Sequence, residues 1–232
     1  MDQIQFLALY FDAPMQSYGV ESRFDRRASL PWPSRSAVTG ILCAAMGIDR
    51  ADRTFLANMA KLDLETFVLK RDNKRSLSRM IDFHTVGGGY DNKSETIHIP
   101  RTADEKGRRT VVSYREFLLD ARFGVLVSGD NDLIGKFHAA LKNPVWGIWF
   151  GRKCCVPASP IAQGIYVSKN DAVQILCKRA GCQSPQLRIR ETDSYSEGSD
   201  SFNDVPVTFE RHCRGMGEEF SSRRIIVEYL DQ

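Results

Sequence analysis

The chain has 232 residues, 42% hydrophobic and 26% charged, with 32 Lys and Arg against 29 Asp and Glu for a net charge of +3. That composition excludes wholesale disorder and collagen-like repeats, and no apolar run approaches the roughly 18–20 residues that cross a bilayer as a helix. The length suits one large domain, or one domain with an appendage.

The opening residues, MDQIQFLALYFDAP, begin with an acid and lack both a basic n-region and a small-residue cleavage site. They read as a first strand, not a signal peptide, and a cytoplasmic protein is expected. IQFLALYF (4–11) is apolar enough for a buried strand. Ser34 is placed to cap a helix through SAVTGILCAAMG, with Gly47 as its stop. Asp49 is expected to cap a second short helix, RADRTFLANMAK. LDLETFVLK (62–70) alternates like a strand, and RFGVLVSG (122–129) ends another. NDLIGKFHAALKN (131–143) spaces Leu133, Ile134, Phe137 and Leu141 as a helix does, and Pro144 closes it. DAVQILCKRAG suits a further helix, while VPVTFE and RRIIVEYL read as late strands. The order β-α-β, β-α, β predicts an α+β fold of the split βαβ, ferredoxin-like type, with helices on one face of the sheet.

Residues 71–115 do not fit that alternation. Three β-leaning pieces (MIDFHTV, ETIHI and TVVSYREFLL) are separated by Gly87, Gly88 and Gly89 and by a polar, basic loop. An extended β-hairpin projecting from the main sheet accounts for them, since a long stretch without a core face inside a compact domain is usually functional. Arg101, Arg108, Arg109 and Arg115 offer guanidinium forks for phosphate, and Tyr90 and Tyr114 offer rings. Basic residues interleaved with aromatics suit single-stranded RNA, whose bases are free to stack. A surface hairpin without a ligand is the plainer alternative.

Charge is unevenly spread. Segments 70–79 and 101–115 each hold five basic residues, with one and two acids, whereas 191–204 holds five acids and no base. A basic face toward phosphate with an acidic loop pointing elsewhere would produce this pattern, and so would ordinary solvated loops. A second candidate anion site lies at 13–40, where a strand runs through APMQSYG and SRFDRR into a helix at LPWPSRSAVTG. Free amides at a helix start favour an anion. Ser34, Arg35 and Ser36 would add side-chain donors, and Gln16, Ser17 and Gly19 would line the same crevice; a capped structural helix reads equally well. The six cysteines (43, 154, 155, 177, 182, 213) and four histidines (84, 98, 138, 212) show no metal-ligand spacing, so no metal or cofactor is expected.

Five segments carry a family resemblance: APMQSYG after the first strand, PSRSAVTGILCAAMGIDR at the first helix, DFHTVGGG entering the hairpin, VSYREFLLDARF leaving it, and PVWGIWFGRKCCVP. In that order, over about residues 4–165, they resemble the Cas-five family, in the branch that serves the type I-E CRISPR surveillance complex Cascade. The resemblance implies a ferredoxin-like (RRM-like) fold of the repeat-associated mysterious protein class, spanning 1–232, with 80–115 as a long β-hairpin thumb. It implies a subunit that binds the 5′ handle of the CRISPR RNA, caps the filament of CasC backbone subunits, and contacts the CasA large subunit, and so meets target DNA only indirectly.

Carried onto this chain, the resemblance assigns RNA contact to Met15, Gln16, Ser17 and Tyr18, to Arg26 and Arg27, to Ser34, Arg35 and Ser36, and to His84, Gly87, Gly88, Arg108 and Arg109. Arg115 falls where the family places an arginine at the handle, with Tyr114 before it in an aromatic position. Tyr18 and Tyr114 both replace the commoner Trp, and Ala13 replaces a Gly. Arg152 and Lys153 match a G-R-[KR] loop, readable as an RNA contact, a subunit contact or a strand-end turn. The family's type I-E members leave RNA cleavage to a separate endoribonuclease, so no catalysis is expected. The rival reading takes a relative from type I-C systems that does process RNA, with His84, Tyr90 and Lys93 as the acid–base set.

Overall fold

The structure is a computed structural model, and it describes residues 3–19, 25–69, 77–86, 110–192, 196–197, 200–210 and 219–230. The described elements run β1 (Phe6–Asp12), β2 (Met15–Gln16), β3 (Tyr18–Gly19), β4 (Arg26–Arg27), β5 (Ser29–Leu30), α1 (Arg35–Met46), α2 (Arg53–Met59), β6 (Asp63–Val68), β7 (Ser78–Val86), β8 (Val111–Leu119) and β9 (Arg122–Ser128). They continue with α3 (Asn131–Lys142), β10 (Ala162–Tyr166), α4 (Lys169–Ala180), β11 (Leu187–Glu191), β12 (Asp200–Thr208) and β13 (Glu219–Tyr229). No helix among them is long and apolar enough to cross a membrane.

Seven strands form the main sheet in the order β10-β1-β9-β6-β11-β13-β12, each antiparallel to its neighbours. Within it β1 and β6 run parallel with β9 inserted between them, which is a split βαβ connected through α1; β9, α3 and β10 then place the fourth strand beside β1. Helix caps set the element limits. Ser34 accepts from the Ala37 N–H and Gly47 closes α1 at φ 71°, while Asp130 and Ser168 cap α3 and α4 in the same way. The second helix is capped by Asp52, not by Asp49. Asp52 accepts from Phe55 N, whereas Asp49 accepts from Ala51 N two residues on, a turn that precedes the helix.

The helices occupy both faces of the sheet, which corrects the expectation of one. Leu7, Leu9 and Phe11 of β1 pack with Val38, Ile41 and Leu42 of α1 and with Ile134 and Phe137 of α3. Ala8 and Tyr10, on the other face, pack with Ala172, Leu176 and Cys177 of α4. A strand with an unbroken apolar interior needs cover on both sides, and β1 (Phe6–Phe11) and β9 (Phe123–Val127) are of that kind.

The hairpin forms a second, four-stranded sheet. β7 and β8 pair from Ser78↔Leu119 to Val86↔Val111, so the base lies slightly outside the expected limits of 80 and 115. β7 takes one edge of β8, and β2 and β4 follow one another along the other edge. Asp120, at φ 50°, turns β8 into β9, and its N–H donates to Pro14 O at 3.1 Å. The hairpin is thereby fixed to the end of β1.

Candidate functional site

The two faces of the hairpin sheet differ in chemistry. In register, Asp82 and Arg27 flank Arg115, and His84 lies opposite Ser113. Because side chains alternate, these residues share one face with Phe117. Phe83 and Arg26 flank Tyr114 on the other face, which also carries Ile81 and Glu116.

A loop from the end of the main sheet reaches the first face. Phe150 is fully buried and stacks on Phe11 with ring centroids 4.6 Å apart. Its N–H donates to Cys155 O at 2.9 Å, and its carbonyl accepts from Ser17 N at 3.1 Å. Gly151 follows at φ 91°, where a Cβ would stand 1.7 Å from Ser17 O, so only glycine fits. This turn aims Arg152 at the hairpin. Its Nε donates to Ser17 Oγ at 3.2 Å, and its guanidinium lies 5.4 Å from the centroid of Phe117.

Arg27, Arg115 and Arg152 therefore converge. Burial lowers the affinity of Arg152 for its proton, and the nearby Arg115 and Arg27 cations lower it further. Arginine keeps its charge under such pressure. Arg115 Nε donates to Ser113 Oγ at 3.1 Å. Among the described residues, no carboxylate lies within 4.0 Å of these three guanidinium groups. Arg79, on the opposite face, is by contrast neutralised by Glu116. Burial raises the Glu116 pKa, but the hydrogen bonds from Arg79 and from Ser29 N outweigh it and hold the carboxyl below the usual range. Three like charges held together, with no carboxylate in ion-pair contact among the described residues, suit an anion with several negative oxygens.

Exposed apolar groups lie on the opposite face of the hairpin sheet and in the loop that carries Arg152. Tyr114 is 39% exposed, lies edge-on to Phe83 at 5.5 Å, and carries the Arg26 guanidinium 5.7 Å from its centroid. Phe83 and Ile81 are 60% and 66% exposed, a degree unusual for such side chains. The sequence did not single them out, although the alternation in MIDFHTV puts both on one face. Lys153 Nζ stands 5.7 Å from the Trp149 ring.

The other expected contacts fare differently. Arg35 is 2% exposed and its guanidinium is used inside the protein: it pairs with Glu191 and donates to the carbonyls of Met59, Ala60 and Leu62 at 2.7–3.0 Å. Its N–H, one of the free amides of the helix start, donates to Asp204 Oδ2 at 2.7 Å. Ser34 is buried in its capping bond and lies 3.0 Å from Ser36 Oγ. The strand–helix crevice is thus closed by two acids of the 191–204 segment, and that segment does not simply point elsewhere. Gln16 and Tyr18 are buried too; Gln16 donates to Ala121 O at 2.7 Å, and the Tyr18 hydroxyl donates to Gln16 Oε1 at 2.5 Å. Burial pushes the Tyr18 pKa up, and its ring packs edge-on to Phe123, so it offers no stacking face. Ser17 is buried and bridges Glu116 O and Arg152, which makes it a positioning residue, and Met15 is half-buried against the core. Ala13, where a glycine is the commoner family residue, is also in the core.

His84 is not a buried structural histidine. Its side chain is 42% exposed, with Nδ1 4.0 Å from Asp82 Oδ2. Gly87, Gly88, Tyr90, Lys93, Arg101, Arg108 and Arg109 lie outside the described residues.

Residues 6–219 match the family model described as CRISPR-associated protein (Cas_Cas5). The CRISPR system Cascade subunit CasD of Escherichia coli strain K12 is 26% identical over 167 residues, covering 68% of this chain and 70% of that protein. Two solved structures are similar across 97% of the chain. One is a chain of a CRISPR RNA-guided surveillance complex (TM-score 0.73, 28% identity, 89% of that chain covered), and the other is a crystal structure of a Cas protein (TM-score 0.65, 27% identity, 94% covered). With a family match that spans residues 6–219, the chain belongs to the Cas-five family of CRISPR-associated proteins.

Proposed function

We propose that this chain is a non-catalytic RNA-binding subunit of a type I-E CRISPR Cascade complex. It grips the 5′ handle of the CRISPR RNA, caps the filament of CasC backbone subunits, contacts the CasA large subunit, and meets target DNA only through them. It works in the cytoplasm as one Cas-five domain on a ferredoxin-like, RRM-like core. The strand order β10-β1-β9-β6, with α1 and α3 as the crossovers, supports that reading of the core.

The observation that carries the proposal is the convergence of Arg27, Arg115 and Arg152, with no carboxylate within 4.0 Å of them among the described residues. Each guanidinium presents a planar fork that matches phosphate oxygens. Ser17, Ser113 and the Phe117 ring hold two of the three in place, so binding forfeits little side-chain freedom. Guide complexes leave sequence reading to base pairing and hold the guide by its backbone and ends. A fixed cluster of phosphate-binding groups at the root of a hairpin suits that task.

Replacing Arg115 with Ala is expected to weaken binding of handle RNA by about 1–3 kcal/mol. Fluorescence anisotropy with labelled handle RNA measures this, and wild-type affinity in the variant would remove Arg115 from the site. The absence of catalysis is tested at His84, which shares the Arg115 face. Purified wild-type protein is expected to leave repeat RNA intact, and His84→Ala to leave both complex assembly and RNA length unchanged. Cleavage that disappears with His84 would replace this reading by that of a processing endoribonuclease.

A further inference from the structure

We propose that Trp149 and Lys153 form a nucleobase-stacking subsite for single-stranded RNA, extending the phosphate-binding trio along the loop that follows α3; this rests on the RNA-binding reading above. Trp149 is 37% exposed, yet its position is fixed. The next residue, Phe150, is locked into the core against Phe11, and Gly151 N donates back to Trp149 O at 3.0 Å. The indole lies against the backbone at Gly147, where a Cβ would stand 2.7 Å from Trp149 Cζ2. A large ring held in one orientation at the surface stacks on a base with little entropic cost.

Charge favours nucleic acid as the occupant. Lys153 places its ammonium 5.7 Å from the indole centroid, within reach of a phosphate flanking a stacked base, and its neighbour Arg152 belongs to the trio. Arg152 and Lys153, the two cations nearest the ring in sequence, form no ion pair with a carboxylate among the described residues. An exposed ring with two cations beside it suits a polyanion carrying flat apolar groups.

The test uses the full chain and two probes: an oligoadenylate of about 8 nucleotides, in the range of single-strand site sizes, and an abasic ribose-phosphate oligomer of the same length. The protein has three tryptophans, so the Trp32→Phe, Trp146→Phe variant leaves Trp149 as the reporter. Oligoadenylate is expected to quench its emission, and the abasic oligomer to leave it unchanged. Trp149→Ala should lower oligoadenylate affinity roughly tenfold, Trp149→Phe should retain part of it, and all three proteins should bind the abasic oligomer alike, which a misfolded variant would not. If Arg115→Ala weakens oligoadenylate binding while Trp149→Ala does not and the emission is unmoved, the subsite is wrong and the trio stands. If the wild type binds neither probe, the RNA reading fails and the subsite with it. If Trp149→Ala spares RNA binding but abolishes co-purification with other Cascade subunits, the ring is a protein contact and the proposal is overturned.

Discussion

Arg35 and Arg115 are both arginines beside an expected anion site, and their surroundings give them opposite roles. Arg35 sits at a helix start whose N–H is taken by Asp204, and its guanidinium meets Glu191 and three backbone carbonyls with 2% of the residue exposed. Arg115 meets a serine and two other cations. The first is a closed structural group, and the second has no carboxylate within 4.0 Å among the described residues. Arg35→Ala would leave three carbonyls and part of a carboxylate unsatisfied inside the protein, and breaking such a buried pair costs about 3–5 kcal/mol. Urea denaturation is expected to show that loss. At temperatures where the variant remains folded, its RNA affinity should match the wild type, and a drop in affinity without a drop in stability would return Arg35 to the binding face. Sequence could not separate the two arginines, because the acids that claim Arg35 come from 156 and 169 positions away.

Most elements were legible because their signals are local. Ser34 and Gly47 mark both ends of α1, and the apolar spacing of 133–141 marks α3. The readings that failed needed distant partners. Asp49 and Asp52 are both plausible caps, and only packing of Leu56 and Met59 decides where the helix starts. β10 (AQGIY) and β11 (LRIRE) have too little apolar content to announce a strand; β11 is held by ion pairs from Arg188 and Arg190 to Glu65 and Glu228. The second helical face followed from the unbroken apolar run of β1, a sign of double burial that the expectation of one-sided helices left unused. The hairpin was recognisable from its strands, but the convergence of Arg152 on it was not, because that depends on the turn at Gly151. Gly151→Ala tests the turn as a unit. Its φ of 91° alone predicts a loss of about 1–3 kcal/mol from backbone strain, and the overlap of a Cβ with Ser17 O at 1.7 Å adds to it by forcing the turn to shift. Because the same turn aims Arg152, the variant should also bind RNA more weakly at temperatures where it is fully folded. Thermal melts paired with anisotropy titrations measure both, and a variant with normal stability and affinity would show that the turn does not set the site.

Across the whole molecule a net charge of +3 hides a division of labour. Five acids of the main sheet are consumed by neighbouring bases: Asp12 by Arg122, Glu65 by Arg188 and Lys169, Glu228 by Arg188 and Arg190, and Glu191 and Asp204 by Arg223. These pairs balance internally and contribute little field at a distance. Among the described residues the guanidinium groups of Arg27, Arg115 and Arg152 have no carboxylate within 4.0 Å, and Asp82, opposite Arg115 in register, forms no ion pair with it, so more of their field reaches solvent. Binding of a single strand there should release condensed counterions, about 0.7 per phosphate neutralised, and three contacts predict a contribution of about −2 to the slope of log affinity against log salt. Titrations of labelled RNA at several salt concentrations measure that slope. Replacing all three arginines by Ala should flatten it by about 2, and each single replacement by somewhat less than 1. Arg188→Ala, which removes an equal formal charge from the internally paired network, should leave the slope unchanged. If Arg188→Ala flattens the slope as much as Arg115→Ala does, binding responds to net charge alone, and the trio is not a site.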